Sequence, residues 1–351
     1  MKPVKVAING FGRIGRLLLR QLVALPSFRK SEPGAIEIVA VNDLGNLENL
    51  AYLLKYDSVY GCFPGSVKFD TANSILDVDG KQIKFLQIKD PASLPWKDLD
   101  IDIAVEATGL FESYEKAKVH LVSGAKRVVI TAPAKDDDFA NGKTVLMGVN
   151  EDDLKTTVLS SNGSCTTNAA SPVIQVLSEN PGIVKAVLNT VHGYTATQNL
   201  VDGPVKGGQD FRRGRAAAHS IVPSTTGAAI AVTRAIKDLE NKFDGVSLRV
   251  PVIAGSIADI TFLAKRPVTA EEINDILRKA AQTERWQGIL AVTEDQVVSA
   301  DMIGVPYGAV VDLNFTKVVD GDLVKVLSWY DNEYGYAATL VRHLEAVARN
   351  L

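Results

Sequence analysis

Residues 4–25 read VKVAINGFGRIGRLLLRQLVAL: a short apolar run, glycines at positions 10, 12 and 15, then leucines at helical spacing. That order limits the possible folds more than any other stretch. An apolar run too short for a helix and bounded by glycine is a buried strand, and the leucines behind it form one face of a helix. Gly10 permits a tight turn, Gly12 lets a phosphate-sized group reach the backbone, and Gly15 lets the helix pack close on the strand. Pro26 is expected to stop the helix. After the polar loop SFRKSEPGA comes a second apolar run, IEIVAV, then IDIAVEAT, RVVITA and TVLMGVN, with the helical segment YEKAKVHLVSG among them. Short apolar strands alternating with helices predict an α/β chain whose first domain is a parallel, doubly wound sheet of the Rossmann type.

Past residue 163 the pattern changes to longer strands, VKAVLNTV, SLRVPVI, ADITFLAK and AVVDLNF, around the helices TGAAIAVTRAIKDLE and TAEEINDILRKAAQ. A mixed α+β domain over 164–330 is expected. The closing segment GYAATLVRHLEAVARNL reads as an amphipathic helix that packs back on the first domain, which then comprises 1–163 and 331–351.

The length of 351 residues is enough for two cores. With 38 basic and 41 acidic side chains the formal charge is −3, which supplies no overall drive toward nucleic acid or an anionic membrane. No apolar run approaches the roughly 20 residues that span a bilayer, and the first residues lack a secretory signal, so a cytoplasmic location is expected. The two cysteines, Cys62 and Cys165, make no disulfide framework, and no Cys/His spacing suggests zinc, so no metal is expected.

A glycine turn between strand and helix suits a pyrophosphate, because the helix start offers unpaired N–H groups. The same pattern also occurs as a plain structural turn. Asp43, ending IEIVAVND, adds a second signal: a carboxylate there accepts hydrogen bonds from both ribose hydroxyls and repels a 2′-phosphate, favouring NAD over NADP. It lies 28 residues past Gly15, and the loop through Pro26 and Pro33 accounts for the long spacing. An aspartate that merely caps a turn is the plainer alternative.

The segments GSCTTN at 163–168 and NTVHGYTATQ at 189–198 set a thiol and an imidazole among hydroxyls. Two influences lower a thiol pKa: a helix N-terminus, expected near Cys165, and a cationic histidine, expected to be His192. His192 is then the candidate general base for covalent chemistry at Cys165, which makes the second domain the catalytic one. Pro172 is expected to kink that helix. Against this stands the ordinary use of a lone cysteine as a small buried apolar group. A cysteine protease also uses such a pair, but has no use for a dinucleotide turn. Ser164, Thr166 and Thr167 flank the thiol, Thr195 and Thr197 follow the histidine, and PSTTGAA places Thr226 and Gly227 at a helix start, where hydroxyls and free N–H groups bind phosphate. Arg249 in LRVP can add a bidentate contact. The plain alternatives are an N-cap for Thr226 and a surface ion pair for Arg249. The basic run RRGR at 212–215 is read as a solvated or subunit-contacting surface, and no nucleic-acid partner is expected.

Taken in order, NGFGRIGR, VND, LLKYDSVYG, SCTTN, TVHGYTATQ, STTGAA, LRVP and SWYDNEYGY make the chain closely resemble phosphorylating glyceraldehyde-3-phosphate dehydrogenases along essentially its whole length. The resemblance implies that Cys165 attacks the aldehyde of glyceraldehyde 3-phosphate, that His192 takes the proton, that hydride passes to NAD, and that inorganic phosphate cleaves the thioester. It further implies that Thr195 and Arg249 hold the substrate phosphate, and that Ser164, Thr166, Thr226 and Gly227 hold the attacking one. For the cofactor it maps phosphate contacts to Arg13 and Ile14 beside Gly10, Gly12 and Gly15, the ribose contact to Asp43, and other contacts to Lys89, Thr131 and Asn332. Leu44 and Pro204 agree with NAD. A homotetramer is implied. The departures are Gly163 before SCTTN, Ala169 where a second cysteine is common, VIAGSIADI after LRVP, and the extra Gly207 and Gly208. Erythrose-4-phosphate dehydrogenase shares the thiol and histidine but departs from aspartate at the ribose position and from TTGAA. A catalytically idle binding or redox-sensing protein on the same scaffold is the other alternative.

Overall fold

A computed structural model describes residues 2–25, 35–205 and 209–351. The expected helix stop at Pro26, the loop through Pro33 and the extra glycines 207 and 208 lie outside the described residues. Two units are distinguished: Met1–Val145 with Asn150–Gly163 and Leu340–Leu351, and Leu146–Val149 with Ser164–Thr339.

The strands of the first unit are β1 (Val4–Asn9), β2 (Ile36–Asn42), β3 (Tyr56–Asp57), β4 (Gly61–Cys62), β5 (Val67–Asp70), β6 (Ile75–Val78), β7 (Lys81–Leu86), β8 (Ile103–Glu106), β9 (Arg127–Ile130), β10 (Gly142–Thr144) and β11 (Leu159–Ser161). Apart from the small β3–β4 ribbon they form one sheet in the order β10-β11-β9-β8-β1-β2-β7-β6-β5. Pairs from β10 through β7 are parallel, and β7, β6 and β5 pair antiparallel. β1 lies between β2 and β8, so the strand order reverses at the carboxyl end of β1, where open α/β sheets bind ligands. Burial explains the composition of the central strands: Val6, Ala7, Ile8, Ile103, Ala104 and Val105 are wholly covered. Within this unit the segment Leu340–Leu351 is tied down by buried His343, whose ring meets Ser160 Oγ at 2.7 Å and Asn162 Oδ1 at 3.2 Å.

The expected strand TVLMGVN is mostly absent. Only Thr144 joins β10, while Val145, Leu146 and Met147 are buried without continuing the strand and Gly148 turns the chain at φ +75°. Apolar content marked these residues as core and said nothing about pairing. The antiparallel edge β5–β7 was not anticipated, although Asp79-Gly80, both at positive φ between β6 and β7, is the dipeptide that suits a two-residue hairpin.

The second unit carries β12 (Ile183–Gly193), β13 (Val222–Thr225), β14 (Phe243–Val250), β15 (Ser256–Ala264), β16 (Leu290–Thr293), β17 (Ala309–Val319) and β18 (Leu323–Tyr330), in the order β13-β14-β12-β15-β18-β17-β16. Only β12–β14 and β16–β17 are parallel. Burial alternates residue by residue along β15 and β18, as in a sheet covered on one face. The helix Cys165–Glu179 packs on β15, β17 and β18 beside the helices Ala228–Ala235 and Ala270–Ala281. Its Val173, Ile174 and Leu177 are wholly covered, each stabilising by roughly 1.5–3 kcal/mol. Pro172 sits inside this helix, which continues to Glu179 as one element.

Gly10 adopts φ +100°, and an added Cβ would lie 2.6 Å from the Ala107 carbonyl carbon, whereas a Cβ on Gly12 would meet nothing within 4 Å. Gly10→Ala should therefore cost at least about 1–3 kcal/mol from the backbone conformation alone. Gly12→Ala should cost no more than about 1 kcal/mol, the usual penalty for alanine at an N-cap. Urea midpoints for the two variants decide this, and equal midpoints would contradict the packed turn.

Candidate active site

Parallel strands end at one edge, and in the first unit the groups expected to hold a dinucleotide follow such ends: Gly10 after β1, Asp43 after β2, Lys89 after β7 and Thr131 after β9. Asp43 is fixed by two backbone donors, Phe11 N–H to Oδ2 at 2.7 Å and Gly45 N–H to Oδ1 at 2.8 Å. It thereby ties the end of β2 to the glycine turn. The helix Arg13–Ala24 starts from Gly12 with no side-chain cap and no acidic residue in its first turn, which leaves its positive dipole end uncompensated by a local carboxylate. With the open space over Gly12, this edge fits a pyrophosphate. The Arg13 guanidinium is paired with Asp57 at 2.7 Å, and Ile14 follows it in the first turn. Thr131 donates its hydroxyl to Glu106 O, and Lys89 is exposed in the loop after β7. Leu44 and Pro204 are exposed.

Beneath this edge runs a buried polar chain that the sequence reading missed. Trp96 Nε1–H donates to His120 Nδ1 at 3.1 Å, which leaves the proton on Nε2, 2.9 Å from Glu106 Oε2. Asn9 donates to the same carboxylate oxygen at 2.7 Å, and Asn42 donates to Asn9 Oδ1 at 2.8 Å. The ends of β1, β2 and β8 are thus linked through side chains. Asn9, Asn42 and Glu106 end three different strands, Trp96 lies in a turn and His120 in the helix Val119–Val122, and no spacing in the sequence joins them.

In the second unit Cys165 is the first residue of its helix. Ser164 and Thr167 form a capping box, with Ser164 Oγ accepting from Thr167 N and Thr167 Oγ1 accepting from Ser164 N. Cys165 Sγ lies 3.3 Å from His192 Nε2. The parallel register of β12 and β14 puts His192 opposite Arg249, and Arg249 Nη1 approaches His192 Nδ1 to 2.7 Å. Tyr330, also missed as a site residue although it lies in the motif SWYDNEYGY, shares hydrogen bonds with Thr166 Oγ1 (2.9 Å) and Thr190 Oγ1 (2.6 Å), and its ring meets that of His192 edge-on. Asn332 Oδ1 accepts from Ser256 Oγ, which itself accepts from Gly193 N. The amide of Asn332 is therefore anchored to the end of β12.

The remaining hydroxyls fall nearby in sequence but have prior partners. Thr195 Oγ1 meets Thr197 Oγ1 at 2.9 Å just past β12, and Thr226 Oγ1 accepts from Ala228 N at the start of the helix whose N-cap is Gly227. The arginines of RRGR are engaged by Asp210, Ser224 and Asp202.

The electrostatics correct one expectation. Burial and the charge of Arg249 push His192 down to about 3, so the imidazole is neutral at ordinary pH and is not the cation expected beside the thiol. Burial pushes the Cys165 thiol up, opposed by Arg249 and by hydrogen bonds from Thr166. The positive charge serving the thiol is the guanidinium behind the histidine.

Among the described residues no cluster of His, Cys, Asp and Glu could hold a metal, and no helix is long and apolar enough to cross a membrane. Residues 4–114 match the family model described as glyceraldehyde 3-phosphate dehydrogenase, NAD binding domain, and residues 164–332 match that of the C-terminal domain. The chain belongs to the glyceraldehyde-3-phosphate dehydrogenase family. It is 48% identical to glyceraldehyde-3-phosphate dehydrogenase of Thermotoga maritima, covering 98% of this chain and 99% of that one. It is 46% identical to that of Clostridium pasteurianum, covering 98% of each. It is 44% identical to glyceraldehyde-3-phosphate dehydrogenase 1 of the yeast Candida glabrata, covering 99% of each. As a member of this family the chain is an NAD-dependent oxidoreductase with a Rossmann NAD-binding domain and a C-terminal catalytic domain.

Two measurements follow. Asp43→Asn keeps an oxygen for Phe11 N–H but removes the charge, and should narrow the preference for NAD over NADP by about tenfold or more in titrations of the two cofactors. An unchanged ratio would remove Asp43 from cofactor choice. Burial also holds His343 down to about 4, so His192 and His343 stay neutral in the fold while the unfolded chain protonates them below about 6.5. The unfolded state then binds more protons, and stability should decline as pH falls from about 6.5 toward 4. His343→Gln should flatten that decline in urea midpoints measured across the window.

Proposed function

We propose that the chain catalyses the NAD-dependent oxidation and phosphorylation of glyceraldehyde 3-phosphate to 1,3-bisphosphoglycerate in glycolysis, with 1–163 and 331–351 as the NAD-binding domain and 164–330 as the catalytic domain. The observation that carries the residue assignment is the 3.3 Å contact of Cys165 Sγ with His192 Nε2 at a helix start, with Arg249 against the far side of the ring.

Cys165 Sγ adds to the aldehyde carbon; the thiol proton passes to His192 and on to the carbonyl oxygen, giving a hemithioacetal. His192 then takes the hydroxyl proton as the carbon loses its hydride, and a thioester remains. When bound, NAD supplies the hydride acceptor. A phosphate oxygen attacks the thioester carbon, the C–S bond breaks, and the thiolate is regenerated beside the protonated imidazole. Arg249 and Thr195 are assigned to the phosphate of the substrate, and Ser164, Thr166, Thr226 and Gly227 to the attacking phosphate. The Thr166 hydroxyl is shared with Tyr330. Gly10, Gly12, Arg13, Ile14, Gly15, Asp43, Lys89, Thr131 and Asn332 are assigned to NAD.

The homotetramer belongs to the same proposal. It is supported by the uncovered face of the second sheet, where Val187 on β12 and Val246 on β14 are more than half exposed (61% and 54%). A cytoplasmic setting is supported by the two free cysteines.

NADH formation from glyceraldehyde 3-phosphate should be sustained only with inorganic phosphate, and erythrose 4-phosphate should be a poorer substrate. Cys165→Ser should abolish turnover while NAD binding persists; His192→Asn should lower turnover about 10²–10⁴-fold. Substantial phosphate-dependent turnover by Cys165→Ser would end the covalent mechanism. Light scattering should give a mass four times that of the chain, and Val187→Arg should lower it.

A further inference from the structure

Glu106 ends β8 with 2% exposure, and among the described residues the only basic side chain in ion-pair range of it is His120. The polarity of the hydrogen bonds that reach it fixes its state. At one end of the buried chain the indole N–H of Trp96 can only donate, so His120 Nδ1 carries a lone pair; the ring is neutral and aims its Nε2 proton at Glu106 Oε2. At the other end Ile88 N–H donates to Asn42 Oδ1 at 2.9 Å and Ile88 O accepts from Asn42 Nδ2 at 3.0 Å, which leaves the Asn42 amide one orientation. Asn42 then donates to Asn9 Oδ1, and Asn9 Nδ2 donates to the same Oε2. Oε1 takes the Thr108 N–H at 2.8 Å and the Thr108 hydroxyl. Neither end can reverse, so four donors converge on two oxygens, and only a carboxylate accepts from all of them.

We propose that Glu106 is a positioning residue for NAD: its carboxylate, acting through Asn9, Asn42 and Thr108, sets the chain where it leaves the strands at the edge that holds the dinucleotide. The inference rests on the reading of that edge as the NAD site and names the group that keeps it in shape. Asn9 directly precedes Gly10, Asn42 precedes Asp43, and Ile88 precedes Lys89. Each of these three cofactor residues is therefore one peptide bond from a member of the chain. Thr131 donates both its N–H and its hydroxyl to Glu106 O, at 3.0 and 3.1 Å. Thr108 lies against the glycine turn, since a Cβ on Gly10 would come within 2.6 Å of Thr108 N. Glu106→Gln keeps the volume and changes only the polarity. Turned either way, its NH₂ group meets donors that cannot reverse, Asn9 and His120 on one side or Thr108 N–H on the other.

Calorimetric titration of the folded proteins with NAD and with ADP-ribose, which lacks the nicotinamide, tests the role. Glu106→Gln should weaken both about tenfold or more and to the same extent. Its KM for NAD should rise by more than its kcat falls. Asn42→Ala, which cuts the link to Ile88 and leaves the carboxylate its four donors, should weaken both ligands by less, and carries the test if Glu106→Gln does not fold. In the unsubstituted protein ¹⁵N NMR of labelled histidine should show His120, assigned by the signal lost in His120→Gln, protonated on Nε2 alone. A proton on Nδ1 overturns the polarity on which the role rests. Lowered urea midpoints with unchanged affinities overturn the role, and so does a loss confined to NAD, which would make the carboxylate a charge acting on the nicotinamide rather than a support for the loops. If the unsubstituted protein binds neither ligand, the reading of the edge as the NAD site falls with the role; if it binds both and the variants bind as well, only the role of Glu106 falls.

Discussion

Parallel strand pairing is the constraint on which the described sites depend. Strands that run together end together, and each strand end frees one residue from the ladder while holding its neighbours still. In the first unit this brings Gly10, Asp43, Lys89 and Thr131, far apart in the chain, to the carboxyl edge of one sheet. In the second, β12 and β14 are parallel within a largely antiparallel sheet, and their register sets His192 against Arg249. Had that pair been shifted by one residue, the guanidinium would lie on the opposite face from the imidazole.

Holding polar groups at these edges means burying them, and buried polar groups without partners cost about 1–3 kcal/mol each. Several groups at these edges sit in closed sets. Glu106 is nearly covered, and its carboxylate receives Asn9, His120 and the backbone and hydroxyl of Thr108. Tyr330 is satisfied by two threonines. His192 instead has two neighbours competing for one nitrogen, and that conflict sits at the reacting thiol. A structural histidine such as His343 has no such conflict in its bonds to Ser160 and Asn162.

Much was legible in the sequence because it depends on local rules. The first strand, glycine turn and helix followed from periodicity and three glycines, and a helix was expected near Cys165, where it starts. TVLMGVN was misread because a buried apolar run looks the same whether or not it joins a ladder. The charge of His192 was misjudged because burial and the approach of Arg249, 57 residues on, leave no trace in the local sequence.

The sequence by itself determined which groups could react: the cysteine at a helix start, the histidine among threonines, the aspartate at a strand end, the glycines of the turn. It could do so because residue type, turn geometry and helix capping act within a few residues. Only the tertiary structure decided which of them meet and in what protonation state. Register set Arg249 behind His192, and burial made the imidazole neutral and the thiol reluctant to ionise. Packing also joined Trp96, His120, Glu106, Asn9 and Asn42 into one support. Those outcomes depend on distances between residues remote in the chain and on solvent they exclude, and neither quantity exists before the chain folds.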